Sequence, residues 1–487
     1  MNALSDKVRN ATKWTFITEF MSKIITPITG MILARLLTPE AFGVMASILV
    51  VTSFAEMFAD AGFQKYFVQH EFYNEEEKRQ CFGTALMTSC LLALVLWLVI
   101  ICFAKEIASL LGSAEVANGI RLAGFGLILT SYNGMQSAVL KRSFQFKLLF
   151  KLRMISLAVP LMVTIPLAYM GAGFWSLVCG MLAQQGATCV VQARYTEMPF
   201  WGEIDWDRLR GMLSFSLWTL FESITIWFSS YGGLFLVGTL LSSYYLGLYR
   251  GVLTLTGAAF GLLTGAIMPV FFVAMSRLQN DMPNFREMFY GMQGKAALVL
   301  TPLGIMLFVF ADVAVGFFLG GQWHEGDFFF GAWSMTAVFS ILINSLASEA
   351  IRAKGMPRLS AFSQVLHFPV MWGALWYGAK FGFDALALGM CASSLWLDLV
   401  KLVMLRQVLD FSLRKIAMNI FNPAIPAIVS GLLAWHVRYV WTDGGIVSVA
   451  VAMGIFVVVY ISLLMIRRDN RHLIIAGGGY LLKKIRW

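Results

Sequence analysis

The sequence predicts an all-α polytopic membrane protein: fourteen transmembrane helices in two six-helix lobes related by internal duplication, followed by a C-terminal helix pair. Three observations carry this expectation. The chain is 59% hydrophobic and only 13% charged, where a soluble chain would hold about 25% charged residues. Apolar runs of about 20 residues recur from end to end, each long enough to cross about 30 Å of hydrocarbon. Segments of the first half reappear, in the same order, in the second.

Taken in order, the predicted spans fall at 12–37, 41–62, 81–104, 121–140, 154–170, 174–193, 212–241, 247–275, 296–319, 329–351, 361–379, 384–404, 420–440 and 446–466. The formal net charge of +10 invites a nucleic-acid partner, but the basic residues are spread among connections. Most of the 37 Lys and Arg residues lie at the N-terminus, in every second connection and in the tail. Lys105 and Lys380, with Arg438 nearby, are the exceptions. This alternation follows the positive-inside rule and places both termini in the cytoplasm. The first span lacks a short apolar core followed by a small-residue cleavage site, so it is expected to stay attached.

The duplication rests on three collinear matches. GFWSLVCGM at 173–181 aligns with GFDALALGM at 382–390, LLTPEAFG at 36–43 with LLSSYYLG at 240–247, and Asn133, Ser137 and Lys141 with Asn344, Ser348 and Arg352. Spans 1–6 therefore repeat as spans 7–12. Even-numbered units insert with the same orientation, so an axis along the membrane normal relates them, with the substrate path at their interface. The resulting divisions are an N-terminal lobe at 1–200, a C-terminal lobe at 201–410, additional spans at 411–466 and a basic cytoplasmic tail at 467–487, which would rest on anionic lipid.

Helical period organises the polar residues. In span 1, Thr12, Thr15, Glu19, Ser22, Lys23, Thr26 and Gly30 form one stripe, with Phe16, Phe20, Ile24 and Met31 opposite. Span 7 offers Ser214, Trp218, Glu222, Thr225, Ser229 and Gly232. Span 2 offers Ser53, Glu56, Asp60 and Gln64, and span 8 offers Arg250, Thr254, Gly257, Gly261 and Thr264. A charge facing lipid at mid-membrane costs about 2.5–3.5 kcal/mol on insertion scales, and one facing a hydrated cleft far less. The four stripes thus imply a water-filled cavity between the lobes. Its cations would be Lys23, Arg35, Arg121 and Arg250; its acids, available for ion coupling, Glu19, Glu56, Asp60 and Glu222. Pro27 and Gly30 could act as a hinge.

Each feature also has a plainer reading. Glu19 and Lys23, at i,i+4, could form a static pair. Gly257, Gly261 and Gly265 read more readily as close helix packing, and Arg35 and Arg250 could snorkel to the interface. His367 and Asp398 read as packing or hydrogen-bonded residues. The six cysteines fall within spans and match no metal motif. No metal, cofactor or nucleotide motif is present, so an enzyme is not expected.

ARLLTPEAFGVMA at 34–46, FADAGFQKYFVQ at 58–69 and LGGQW at 319–323 resemble polysaccharide and O-antigen flippases of the Wzx type, within the multidrug/oligosaccharidyl-lipid/polysaccharide exporter superfamily and nearest its colanic acid branch. The resemblance implies translocation of undecaprenyl-pyrophosphate-linked oligosaccharide across a bacterial cytoplasmic (inner) membrane by alternating access. It also implies partnership with membrane lipids, a polysaccharide polymerase and a chain-length regulator. A cation-coupled multidrug exporter of the same superfamily is the alternative, although such exporters usually stop at twelve spans. A major-facilitator-type porter is disfavoured because the connection after span 2 lacks its G-x-x-x-D-x-x-G-R-R signature. A membrane glycosyltransferase is disfavoured because no connection is long enough for a sugar-nucleotide domain.

Overall fold

In a computed structural model the chain is described over residues 2–70, 72–111, 115–196, 198, 204–440 and 445–466, with some side chains left out, chiefly in 2–12 and 213–230. The basic tail at 467–487 lies outside the described residues. Among those described there is no β-strand, and every long apolar run is helical.

The helices run α1 (Asn2–Leu36), α2 (Pro39–Asp60), α3 (Phe63–Gln69), α4 (Glu75–Cys102), α5 (Ala104–Leu110), α6 (Glu115–Arg142), α7 (Phe146–Tyr169), α8 (Phe174–Tyr195), α9 (Trp206–Leu240) and α10 (Ser243–Arg277). Then come α11 (Met282–Val309), α12 (Ala311–Phe318), α13 (Asp327–Ser340), a π-helical turn (Ile341–Ser345), α14 (Leu346–Ala353), α15 (Pro357–Ala379), α16 (Phe383–Leu409), α17 (Leu413–Val440) and α18 (Ile446–Ile466). Ten helical stretches among the described residues are long and apolar enough to cross a membrane. At the places of predicted spans 4, 7, 8 and 11 stand α6, α9, α10 and α15, 23 residues or longer, so the helices are compatible with fourteen crossings. Predicted span 9 is too long: α11 ends at Val309 and α12 is a separate short helix after the break at Phe310.

Local chemistry sets the helix ends. Thr38 caps α2, its hydroxyl accepting from the Ala41 amide, with Pro39 in the first turn. Asn74 caps α4 by accepting from the Glu77 amide, while Glu77 accepts from the Tyr73 amide, so two orphan donors are satisfied together. Ala61 and Gly62, both at positive φ, turn the chain from α2 into α3. The duplicated glycines Gly173 and Gly382 precede α8 and α16 in the same way, at φ 57° and 104°.

The chain forms two compact units. One comprises Met1–Ala258 with Gly316–Glu325; the other comprises Ala259–Val315 with Gly326–Trp487. In the first unit, Ile48, Val116, Ile120 and Val178 are buried among α2, α6 and α8. Phe63, Phe67, Phe82 and Met135 pack α3 against α4 and α6. In the second, Phe271, Phe289, Leu300, Leu342, Leu405 and Phe411 form the main core. Ala427, Ala434, Ala452 and Phe456 join α17 and α18 to α11.

Candidate functional site

All ten residues singled out by the polar stripes, namely Glu19, Lys23, Pro27, Gly30, Arg35, Glu56, Asp60, Arg121, Glu222 and Arg250, belong to the first unit. The side chains of Glu222, and of Thr12, Ser214, Trp218, Thr225 and Ser229, lie outside the description.

Helix α1 stays helical through Pro27 and packs along α7. Its surface divides. Thr15, Glu19 and Thr26 are exposed and Lys23 is half-buried beside them, whereas Phe20, Ile28 and Ile32 form a separate exposed apolar face. Ser22 departs from the expected stripe: it is buried and accepts a 3.0 Å hydrogen bond from Arg153 Nε of α7. Two exposed faces of unlike polarity on one membrane helix suit two different surroundings.

Helix α2 carries its stripe onto α9. Ser53 Oγ accepts from the Trp227 indole at 3.0 Å, and Phe54 meets the Trp227 ring edge-on at 4.9 Å. One turn further along, Glu56 is exposed and Asp60 half-buried. One Asp60 carboxylate oxygen is buried with no hydrogen-bond partner among the described residues.

The other cations scatter. Arg121 donates to Asn118 Oδ1 within its own helix at 3.0 Å. Arg250 is half-buried in α10, where its carbonyl accepts from Thr254 Oγ1. Arg35 donates to the Phe317 carbonyl at 2.6 Å, which anchors it at the end of α1 and apart from the Glu19–Lys23 face. The glycine reading also changes: a Cβ at Gly257 would meet nothing within 4 Å among the described residues, so this glycine is not there for close packing.

Close packing is found at several other glycines, a matched pair of the repeats among them. A Cβ on Gly43 would lie 1.6 Å from the Ser243 carbonyl oxygen, and one on Gly247 would lie 1.8 Å from that of Pro39. These are corresponding residues of LLTPEAFG and LLSSYYLG, and their contact is reciprocal.

Three features escaped the sequence reading. The segment 316–325 is seated in the first unit although it follows α11 and includes the end of α12. At the opposite end of that unit, Arg142 of α6 donates to the Phe67, Val68 and His70 carbonyls at the end of α3 and lies 4.5 Å over Phe72. In the second unit, α16 turns a row of Cys391, Ser394, Asp398 and Lys401 inward. Ser394 Oγ lies 2.8 Å from Ser340 Oγ, Ser340 donates to Asp398, and the fully buried Lys401 donates to Ser360 Oγ at 3.0 Å. Asp398 is hydrogen-bonded, as expected, but one of its carboxylate oxygens has no partner among the described residues. A three-and-four spacing of polar residues inside an otherwise apolar span was the available signal.

These features define an α-helical protein of many membrane-length apolar helices. The chain covers 99% of a solved lipid II flippase MurJ in an inward closed conformation, with 94% of its own length aligned, TM-score 0.71 and 15% identity. It also matches an inward-facing MATE-family multidrug resistance transporter over 81% of its length and 98% of that chain, with TM-score 0.59 and 11% identity. By sequence, it is 22% identical over 392 residues to an uncharacterized membrane protein in the cps region of Klebsiella pneumoniae, covering 78% of this chain and 80% of that protein. It is 23% identical over 317 residues to the succinoglycan biosynthesis transport protein ExoT of Rhizobium meliloti (strain 1021), covering 64% of this chain and 62% of that protein. Residues 32–326 match the polysaccharide biosynthesis protein family, and the chain belongs to that family.

Proposed function

We propose that this protein is a flippase of the bacterial cytoplasmic membrane. It moves undecaprenyl-pyrophosphate-linked oligosaccharide repeat units from the cytoplasmic to the outer leaflet by alternating access, coupled to an H⁺ or Na⁺ gradient. The observation that carries this reading is the divided surface of α1, with Glu19, Lys23 and Thr26 on one face and Phe20, Ile28 and Ile32 on another. The polar face suits a hydrated path for sugar and pyrophosphate, and the apolar face suits lipid. Lys23 is the cation best placed to meet a pyrophosphate, because it sits beside that face at mid-helix. The family membership supports a polysaccharide precursor as cargo.

Lys23→Ala is expected to abolish glycan export with protein level in the membrane unchanged. Export at the normal rate would refute the assignment. Glu19 supplies the matching acid. In proteoliposomes, Glu19→Gln is expected to uncouple glycan transport from an imposed ion gradient; full gradient-driven transport by that variant would remove Glu19 from the coupling role.

The MATE-like fold keeps a second reading open, a cation-coupled multidrug exporter. The cations Lys23 and Arg250 argue against it, since they would repel cationic drugs. Drug efflux by cells unable to make the lipid-linked glycan would favour that alternative.

A further inference from the structure

We infer that residues 316–325 are a releasable lock on one end of the first unit, seated in this structure and withdrawn during transport. This rests on the flippase reading above, in which that end faces the outside of the cell.

The observation is one of placement. In sequence the segment belongs to the second repeat, running from the last residues of α12 to just before α13, yet it packs within the first unit. Its anchors are specific. Gln322 Nε2 donates to the carbonyls of Ala34 at 2.9 Å and Leu37 at 2.7 Å, and the Trp323 indole also donates to Ala34 at 3.0 Å. Last-turn carbonyls have no partner within their own helix, so the segment supplies the cap that α1 lacks. The Trp323 ring is only 1% exposed. It meets Phe42 of α2 edge-on at 5.3 Å and fills a notch that exists because residue 251 of α10 is glycine; a Cβ there would lie 2.7 Å from the ring. Phe317 accepts from Arg35 at 2.6 Å, and Gly320, at φ 109°, permits the turn between the two anchors.

One short segment thus fastens the end of α1 to the starts of α2 and α10, beside the reciprocal Gly43–Gly247 crossing. Water can replace each of its hydrogen bonds at a membrane surface, and a single indole provides the buried anchor. The chain enters the first unit at Gly316 and leaves it at Glu325, so movement of the second unit during a transport cycle pulls on this segment. Arg35 is released along with it, which assigns that arginine to the lock.

The test is a reversible cross-link in the full-length chain. Gln322→Cys with Leu37→Cys, oxidised in cells exporting the glycan, is expected to stop export, and reductant is expected to restore it. Each single variant, treated the same way, should export normally. Export by the fully cross-linked protein at the wild-type rate would overturn the lock. A wild-type chain that exports no glycan would instead overturn the flippase reading, so the two failures are separable.

Should the double variant not accumulate, labelling of Gln322→Cys by a membrane-impermeant maleimide replaces it. Phe381→Cys, at a position 68% exposed in the connection before α16, is the reference. In cells blocked in the first step of glycan assembly, residue 322 is expected to label about ten-fold more slowly than residue 381, and faster once export resumes. Equal rates in the blocked cells, or a rate indifferent to export, would overturn the proposal.

Discussion

Of the basic residues that the charge alternation leaves over, Arg438 and Lys380 each have a local partner. Both Arg438 terminal nitrogens donate to Asp312 of α12, at 2.9 and 2.5 Å, and the guanidinium lies 5.0 Å over Tyr439. Lys380 lies 3.5 Å over the Trp376 ring. A cation neutralised or stacked in this way costs less on the unexpected side of a membrane than a bare one. The hydrogen bonds from Arg438 hold the Asp312 carboxyl below its ordinary value. The stability this confers is present above the ordinary carboxylate range and is lost as pH falls through the lowered value. Arg438→Met is expected to destabilise the solubilised protein at pH 7 by about 1–2 kcal/mol, a charge-assisted bond discounted for the partial exposure of Asp312. The deficit should narrow as the pH falls below the ordinary carboxylate range, which melting curves of wild type and variant at pH 7 and through that range would show; a deficit that does not narrow would mean that packing, not charge, is lost.

Helices were the most legible elements. Apolar length located the long ones, because that signal acts within one segment, whereas the short helices α3, α5, α12 and α14 carry too little of it. The polar stripe of α1 was legible for the same reason, and Glu19, Lys23 and Thr26 do share a face. What sequence periodicity could not show is which neighbour a face meets: Ser22 turns to Arg153, and a Cβ on Gly257, read as a close-packing glycine, would meet nothing within 4 Å among the described residues. Close approach is found elsewhere, including at the matched glycines Gly180 and Gly389. A Cβ on Gly180 would lie 1.8 Å from Thr164 Oγ1, whereas one on its repeat partner Gly389 would lie 2.6 Å from the backbone oxygen of Ala374. A side chain can be trimmed and a backbone carbonyl cannot. Gly180→Ala is therefore expected to cost about 1–3 kcal/mol of thermal stability, with Thr164→Ala recovering most of that loss in the double variant. Gly389→Ala should cost a similar amount with no side-chain rescue available. A Gly180→Ala melting curve unchanged from wild type would show that the α7–α8 crossing is looser than these distances imply.

At the scale of the whole chain, the duplication leaves spans 13 and 14 unexplained and makes them look like an appendage. The contacts of the second unit say otherwise. Asn419 of α17 donates to the Tyr290 carbonyl of α11 at 2.9 Å, and the Tyr290 hydroxyl in turn accepts from the Ser412 amide at 2.7 Å. The Tyr460 hydroxyl of α18 donates to the Leu298 carbonyl at 2.8 Å, and Gly431 brings α17 against Ile305 and Val309. Sequence repetition records ancestry, and packing records which surfaces now need cover; here the two diverge. Helix α11 presents an aromatic ring, backbone carbonyls and small gaps to α17 and α18. A membrane helix stripped of such a neighbour can turn apolar residues to lipid, but a tyrosine and open carbonyl contacts fare poorly there. A chain ending at residue 410 is therefore expected to insert, yet to accumulate at a lower level and melt well below the full-length protein. The deficit should be sharpest in the second unit, as read by protease cleavage near α11. Accumulation and melting equal to the full chain would show that α17 and α18 are a detachable addition whose contacts contribute little to the fold.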